Sequence, residues 1–166
     1  DTSDPSLLTR TNEANDWAVP SRNSVKALNI HRFYAYTGEG DYQKKAEKLF
    51  RAFSGFVGQN PHASPALLMA VDFATDASKE IVVAGERHDP KVQSILHELN
   101  QMFLPNKILG LADRSKKPPI PLLVGKTEQN GQATIYVCEA QVCKKPVSSL
   151  EEVRDLLTAV KGYKLY

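Results

Sequence analysis

Through the first third of the chain apolar side chains return every three or four residues, and beyond it they gather in short β-branched runs. After Pro20-Ser21, the positions Val25, Leu28, Asn29, Arg32, Phe33 and Tyr36 keep helical spacing and predict a first helix with its stripe along them. Ser21 is its natural N-cap, because a hydroxyl accepts one of the orphan amides of a first turn. Residues 37–41 break the pattern, and Tyr42, Ala46, Leu49, Phe50, Phe53 and Val57 then mark one face of a second helix. A turn this short makes the two helices an antiparallel hairpin. Ser64-Pro65 supplies a cap and an N1 proline for a third helix over residues 64–73.

The pattern changes at Lys79. Ile81-Val82-Val83-Ala84-Gly85 is a strand ending in glycine, residues 89–102 form an amphipathic helix opening with Asp-Pro, and residues 107–111 are a second apolar strand. A strand, helix, strand unit with a right-handed crossover predicts a parallel pair. Residues 115–130 hold Pro118, Pro119 and Pro121 and read as a loop, residues 133–138 as a third strand, and residues 148–161 as a last helix capped by Ser149. The predicted class is α+β: helical hairpins over residues 1–78, then a small α/β unit over residues 79–166 with a short, mostly parallel sheet.

A length of 166 residues allows one domain or two small ones. With 21 basic against 19 acidic side chains, the chain is neither a histone-like nucleic-acid binder nor an acidic solvating segment. The basic residues Arg114, Lys116, Lys117 and Lys126 fall around the proline loop without interleaved aromatics, so no nucleic-acid partner is expected. No apolar run reaches the roughly 18 residues of a membrane span, and the first residues lack a signal-peptide layout. These features predict a soluble chain without a membrane partner, with the cytoplasm favoured. The start at Asp1 and the polar stretch that follows lead us to expect a piece of a larger protein.

Cys138 and Cys143 are too few for a disulfide framework or a closed zinc site, and no metal is expected. Five positions apart across a strand end, they allow a labile disulfide, a redox pair or half of a metal site. The preferred reading is Cys138 as a buried strand residue and Cys143 as a partly exposed thiol. Gly38-Glu39-Gly40 follows no strand and is no dinucleotide fingerprint. Gly85 before Asp89-Pro90 has the outline of a phosphate loop, carried by one glycine alone, and no cofactor is expected.

Several segments together resemble one family. They are Asp1-Thr2-Ser3-Asp4, then Arg10, Glu13, Asp16, Ala18 and Pro20-Ser21-Arg22-Asn23-Ser24-Val25, followed by Ala46-Glu47, Ala52-Phe53-Ser54, Pro65-Ala66-Leu67-Leu68 before Asp72, Pro105-Asn106-Lys107, and residues 133–139 with Cys143 and Pro146. In this order they resemble the thioredoxin-like proteins related to spermatogenesis-associated protein 20 and bacterial YyaL. The resemblance implies a thioredoxin-like domain followed by an (α/α)6 barrel like that of six-hairpin carbohydrate enzymes, of which this chain would be the C-terminal part. Any thioredoxin active-site cysteines would then lie elsewhere. Arg22 stands where the family usually has glycine.

With that fold implied, the segment before the first helix is the candidate site. Glu13 and Asp16 would serve as catalytic carboxylates, joined by His31 as a general base from the helix, while Arg10, Trp17, Ser21 and Asn23 would bind a sugar by hydrogen bonds and stacking, with Ser24 beside them. The same residue types equally suit capping and ion pairing. Two functions follow: sugar binding or modification in carbohydrate metabolism, with a carbohydrate ligand; or a non-catalytic docking module whose partners are the thioredoxin-like domain and the remaining barrel helices.

Overall fold

The computed structural model describes residues 13–76 and 78–158. Five helices and four strands run in the order α1 (Arg22–Thr37), α2 (Gly40–Gln59), α3 (Pro65–Thr75), β1 (Lys79–Ala84), α4 (Pro90–Gln101), β2 (Lys107–Ala112), β3 (Thr134–Glu139), β4 (Val142–Cys143) and α5 (Leu150–Thr158). Short 3-10 turns at Pro61–Ala63 and Pro121–Leu123 complete the backbone. The expected helices and strands appear at their expected places. The last residues of the expected final helix, 159–161, lie outside the described residues.

Ser21 caps α1, its hydroxyl accepting from the Ser24 amide at 3.1 Å. Gly38 ends the helix at a φ of 72°, the left-handed conformation glycine adopts without a Cβ penalty. The face of α1 that is buried differs from the expected stripe. Ser24, Ala27, Ile30 and His31 point inward, whereas Val25 and Phe33 remain 45% and 53% exposed. Small side chains at Ser24 and Ala27 allow α3 to approach closely, and Ala27 packs with Leu67 and Ala70 of that helix. Val25 and Phe33 therefore sit off the contact, while Leu28 of the expected stripe packs beside it. On α2 the expected stripe does face the core, with Ala46 buried and Leu49, Phe50, Phe53 and Val57 packed beside it.

The sheet is mixed, in the order β2-β1-β3-β4. The β1–β2 pair is parallel, as a helical crossover requires, but β1–β3 and β3–β4 are antiparallel. The expectation of a mostly parallel sheet is thus corrected. After β2 the chain has no helix to carry it back across the sheet, so β3 enters from the end where β2 finished: Ala84 pairs with both Ala112 and Thr134. On one face Ile81, Val83, Ile135 and Val137 pack against α4 and α5. On the other, Val82, Ala84 and Tyr136 meet the loop residues Ile120, Leu122 and Leu123.

Candidate functional site

The segment before α1 is built as a clamp between helices. Asp16 accepts from the Ser21 amide at 2.6 Å with one carboxylate oxygen and from the Ala66 amide at 2.8 Å with the other. It therefore joins the start of α1 to the first turn of α3, where a negative charge is favoured by the helix dipole. Ser64, expected to cap α3, makes no side-chain cap; its hydroxyl donates instead to the Ala14 carbonyl at 2.7 Å. Asn23 donates to the Glu13 carbonyl at 2.8 Å, and the Asp16 amide to the Ala63 carbonyl. Burial pushes the Asp16 carboxyl up, yet the amides of Ser21, Ala66 and Leu67 and the Ser24 hydroxyl together hold it below its ordinary value.

Among the residues expected to bind or transform a sugar, Asp16, Ser21 and Asn23 come together through these backbone bonds. Glu13 joins through its carbonyl, with its side chain exposed, and Trp17 is 76% exposed. Arg10 lies outside the described residues. Arg22 is exposed and borders a shallow groove with Val25 and Phe33.

His31 lies apart from that clamp. It stacks on Phe50 with ring centroids 5.1 Å apart, and its buried Nε2 has no hydrogen-bond partner. Burial lowers its pKa, against the opposing pull of Glu47, and keeps the imidazole neutral. It borders a cavity of about 400 Å³ with Tyr34, Gln43, Ser78, Glu80 and Glu139.

A second polar cluster runs across the sheet. Glu80 of β1 pairs directly with Cys138 of β3, which pairs with Cys143 of β4, so the three side chains share one face on adjacent strands. Cys138 and Cys143 form a disulfide. This corrects the expectation of a partly exposed Cys143 thiol: a two-residue turn sets the cysteines directly opposite each other, a register invisible without β4. Glu80 is buried, which raises its pKa, while the Gln141 amide and Lys126 pull it back down. Lys126 reaches the Cys143 sulfur at 3.0 Å and lies over the Tyr136 ring. Sequence reasoning missed Glu80 because a lone acid in a β-branched run reads as an edge position.

The remaining candidates are structural. A Cβ on Gly85 would fall 2.5 Å from a Val92 methyl, and Asp89 itself accepts from the Lys91 amide at the start of α4. Glycine is there for helix packing, and the helix end is already occupied by a carboxylate, so the phosphate-loop outline is explained without a phosphate. Around the proline loop Arg114 bridges Glu86 and Glu128. Asn106 donates to Asp72 at 2.7 Å and Asp76 at 3.0 Å, tying α3 to the start of β2.

Comparison with known proteins adds relatives to this geometry. Human spermatogenesis-associated protein 20 is 34% identical over 155 residues, which is 91% of this chain and 20% of the human protein. The chain is related to spermatogenesis-associated protein 20. The rat protein of that name is 32% identical over the same share, and an uncharacterized protein of Caenorhabditis elegans is 26% identical over 157 residues. The chain spans about one fifth of the length of these relatives. No protein-family model and no solved structure matches it. Among the described residues no helix is long and apolar enough to cross a membrane.

Proposed function

We propose that this chain is a docking part of a longer protein, in which α1–α3 supply the closing hairpins of a six-hairpin helical barrel and the sheet unit packs beside them. One observation carries the reading. α1 has one apolar face packed on α3, and on another side Val25 and Phe33 stand exposed beside Pro20 along a shallow groove that Arg22, Lys26 and Asn29 also line. A helix that is apolar on two sides belongs between two neighbours. Leu68 and Met69 of α3 are exposed in the same way. The relatives are about five times as long as the stretch they share with this chain, so the occupant is taken to be a segment equivalent to their remaining length. In this account the thioredoxin-like part, and any chemistry it has, lies in that segment.

The test is binding of the 166-residue chain to the separately produced remainder of the parent protein. Replacing Val25 and Phe33 together by Glu is expected to weaken binding at least about 100-fold, since truncation or charging of central apolar anchors dominates interface energies. Thermal unfolding of the double variant should stay near that of the parent sequence. Undiminished binding would overturn the reading.

A second reading, carbohydrate binding, is favoured by the cavity at His31, where Tyr34, Gln43, Ser78 and Glu139 bring hydroxyl, amide and carboxylate groups around one space. It predicts that millimolar monosaccharide shifts the imidazole resonances of His31. Resonances that stay in place remove it.

A further inference from the structure

The row Glu80, Cys138, Cys143 with Lys126 beside it is unused by the docking reading and has chemistry of its own. We infer that Cys138–Cys143 is a thiol–disulfide exchange site that takes the dithiol or disulfide of a protein or small-molecule partner, with Cys143 as the attacking and attacked sulfur and Cys138 as the resolving one.

Access decides the roles. Cys138 is 1% exposed whereas Cys143 is exposed on the two-residue strand β4, so an incoming thiolate reaches Cys143 first. Cys138 and Cys143 both border a cleft of about 180 Å³ together with Glu80, Lys126 and Gln141. Lys126 touches the Cys143 sulfur at 3.0 Å. An ammonium at that distance favours the thiolate of Cys143 over its thiol once the bond is open, which makes Cys143 both a good leaving group and a nucleophile at neutral pH. Glu80 stands opposite Cys138 on the next strand, and its carboxylate accepts from the Gln141 amide in the turn between the two cysteines.

The turn between the cysteines adds to the case. Ala140 and Gln141 hold φ values of 48° and 65°, a conformation that side chains with a Cβ disfavour and that hairpins usually fill with Asn or Gly. The turn is held there by the Gln141 amide on the Glu80 carboxylate at 3.1 Å and by the disulfide itself. Opening the bond removes one restraint and leaves the β3–β4 pairing and the Gln141 bond.

The exchange balances as follows. A thiolate of a partner dithiol attacks the Cys143 sulfur; the Cys138–Cys143 bond breaks, and its electron pair passes to Cys138, which takes up a proton released by the partner dithiol. A mixed disulfide joins the partner to Cys143. The partner's second thiolate then attacks the partner sulfur of that bond and expels Cys143 as a thiolate beside Lys126. The partner is oxidised by two electrons to a disulfide, and this chain is reduced by two. Of the two protons released by the partner, one is held by Cys138 and the other goes to water. A partner disulfide is reduced by the same steps in reverse.

The test is alkylation of the native, dithiothreitol-reduced protein by iodoacetamide as a function of pH, read by mass. Cys143 is expected to react with a midpoint below the ordinary thiol value of about 8.5, and Lys126→Met is expected to raise that midpoint and slow the reaction at pH 7 by roughly tenfold. Lys126→Arg should restore it. In the presence of glutathione disulfide, Cys138→Ser should trap a mixed disulfide at Cys143, while Cys143→Ser should trap at least about tenfold less. An ordinary midpoint in the parent sequence, a midpoint indifferent to Lys126→Met, equal trapping on the two cysteines, or a disulfide that dithiothreitol opens only in denaturant would each overturn the inference.

Discussion

His31 carries a buried nitrogen without a partner inside a stack on Phe50, and both features make it the residue whose replacement is most informative. A Phe keeps the stack and removes the unpaired atom, so His31→Phe is expected to stabilise the protein by about 1 kcal/mol, the scale of an unsatisfied buried polar group. The pH dependence has a definite direction. Because burial holds the folded-state pKa below the ordinary imidazole value of about 6.5, the unfolded chain binds the proton more readily, and the contribution of neutral His31 is full above that ordinary value and is lost as pH falls through the folded one. Urea unfolding between pH 7 and 5 should show that loss in the parent sequence and lack it in His31→Phe. Asp16 behaves in the same sense at lower pH: its depressed pKa means that its contribution is present above the ordinary aspartate value of about 3.9 and lost on further acidification. Asp16→Ala leaves the amides of Ser21 and Ala66 unpaired and is expected to cost roughly 2 kcal/mol in the same measurement at pH 7. The residue types around Asp16 were legible in the sequence, but their partners were not, because Ala66 stands 50 positions away in the chain.

At the scale of elements, Gly85 shows what decides the join between β1 and α4. With a Val92 methyl 2.5 Å from where a Cβ would lie, Gly85→Ala overpacks a buried contact and is expected to lower stability by about 1–3 kcal/mol. Combining it with Val92→Ala should recover part of the loss relative to Val92→Ala alone, which a double-mutant cycle of unfolding free energies reads directly. Helices α2 and α4 were legible from spacing because each has one buried face of consistent period, and β1 and β3 were legible as unbroken apolar runs because both of their faces are buried. What spacing left out has physical causes. Strand β4 is only two residues long and carries no periodicity, so the direct pairing of Cys138 with Cys143 stayed hidden. The orientation of β3 depends on where the loop over residues 113–133 re-enters the sheet, and a pattern of apolar positions holds no such information. On α1 the largest apolar residues suggested the core face, yet the close approach of α3 selects the small ones, Ser24 and Ala27.

For the molecule as a whole, that inversion on α1 is the central point. Polar residues before α1 are drawn into backbone bonds that hold α1 to α3, and apolar residues on the outer side of the same helix are left facing out. The polar segment expected to bind a sugar holds α1 to α3, and the stripe expected to face the core leaves Val25 and Phe33 exposed. The related proteins, about five times longer than the shared stretch, offer a source for what covers that face. The most direct measurement is hydroxyl-radical footprinting of Phe33 in the parent protein purified from its source and in the 166-residue chain alone, with the exposed Trp17 as the internal reference. The docking account predicts that Phe33 is labelled at least about tenfold more slowly in the parent, as full burial of a central anchor requires. Equal labelling in the two would contradict it.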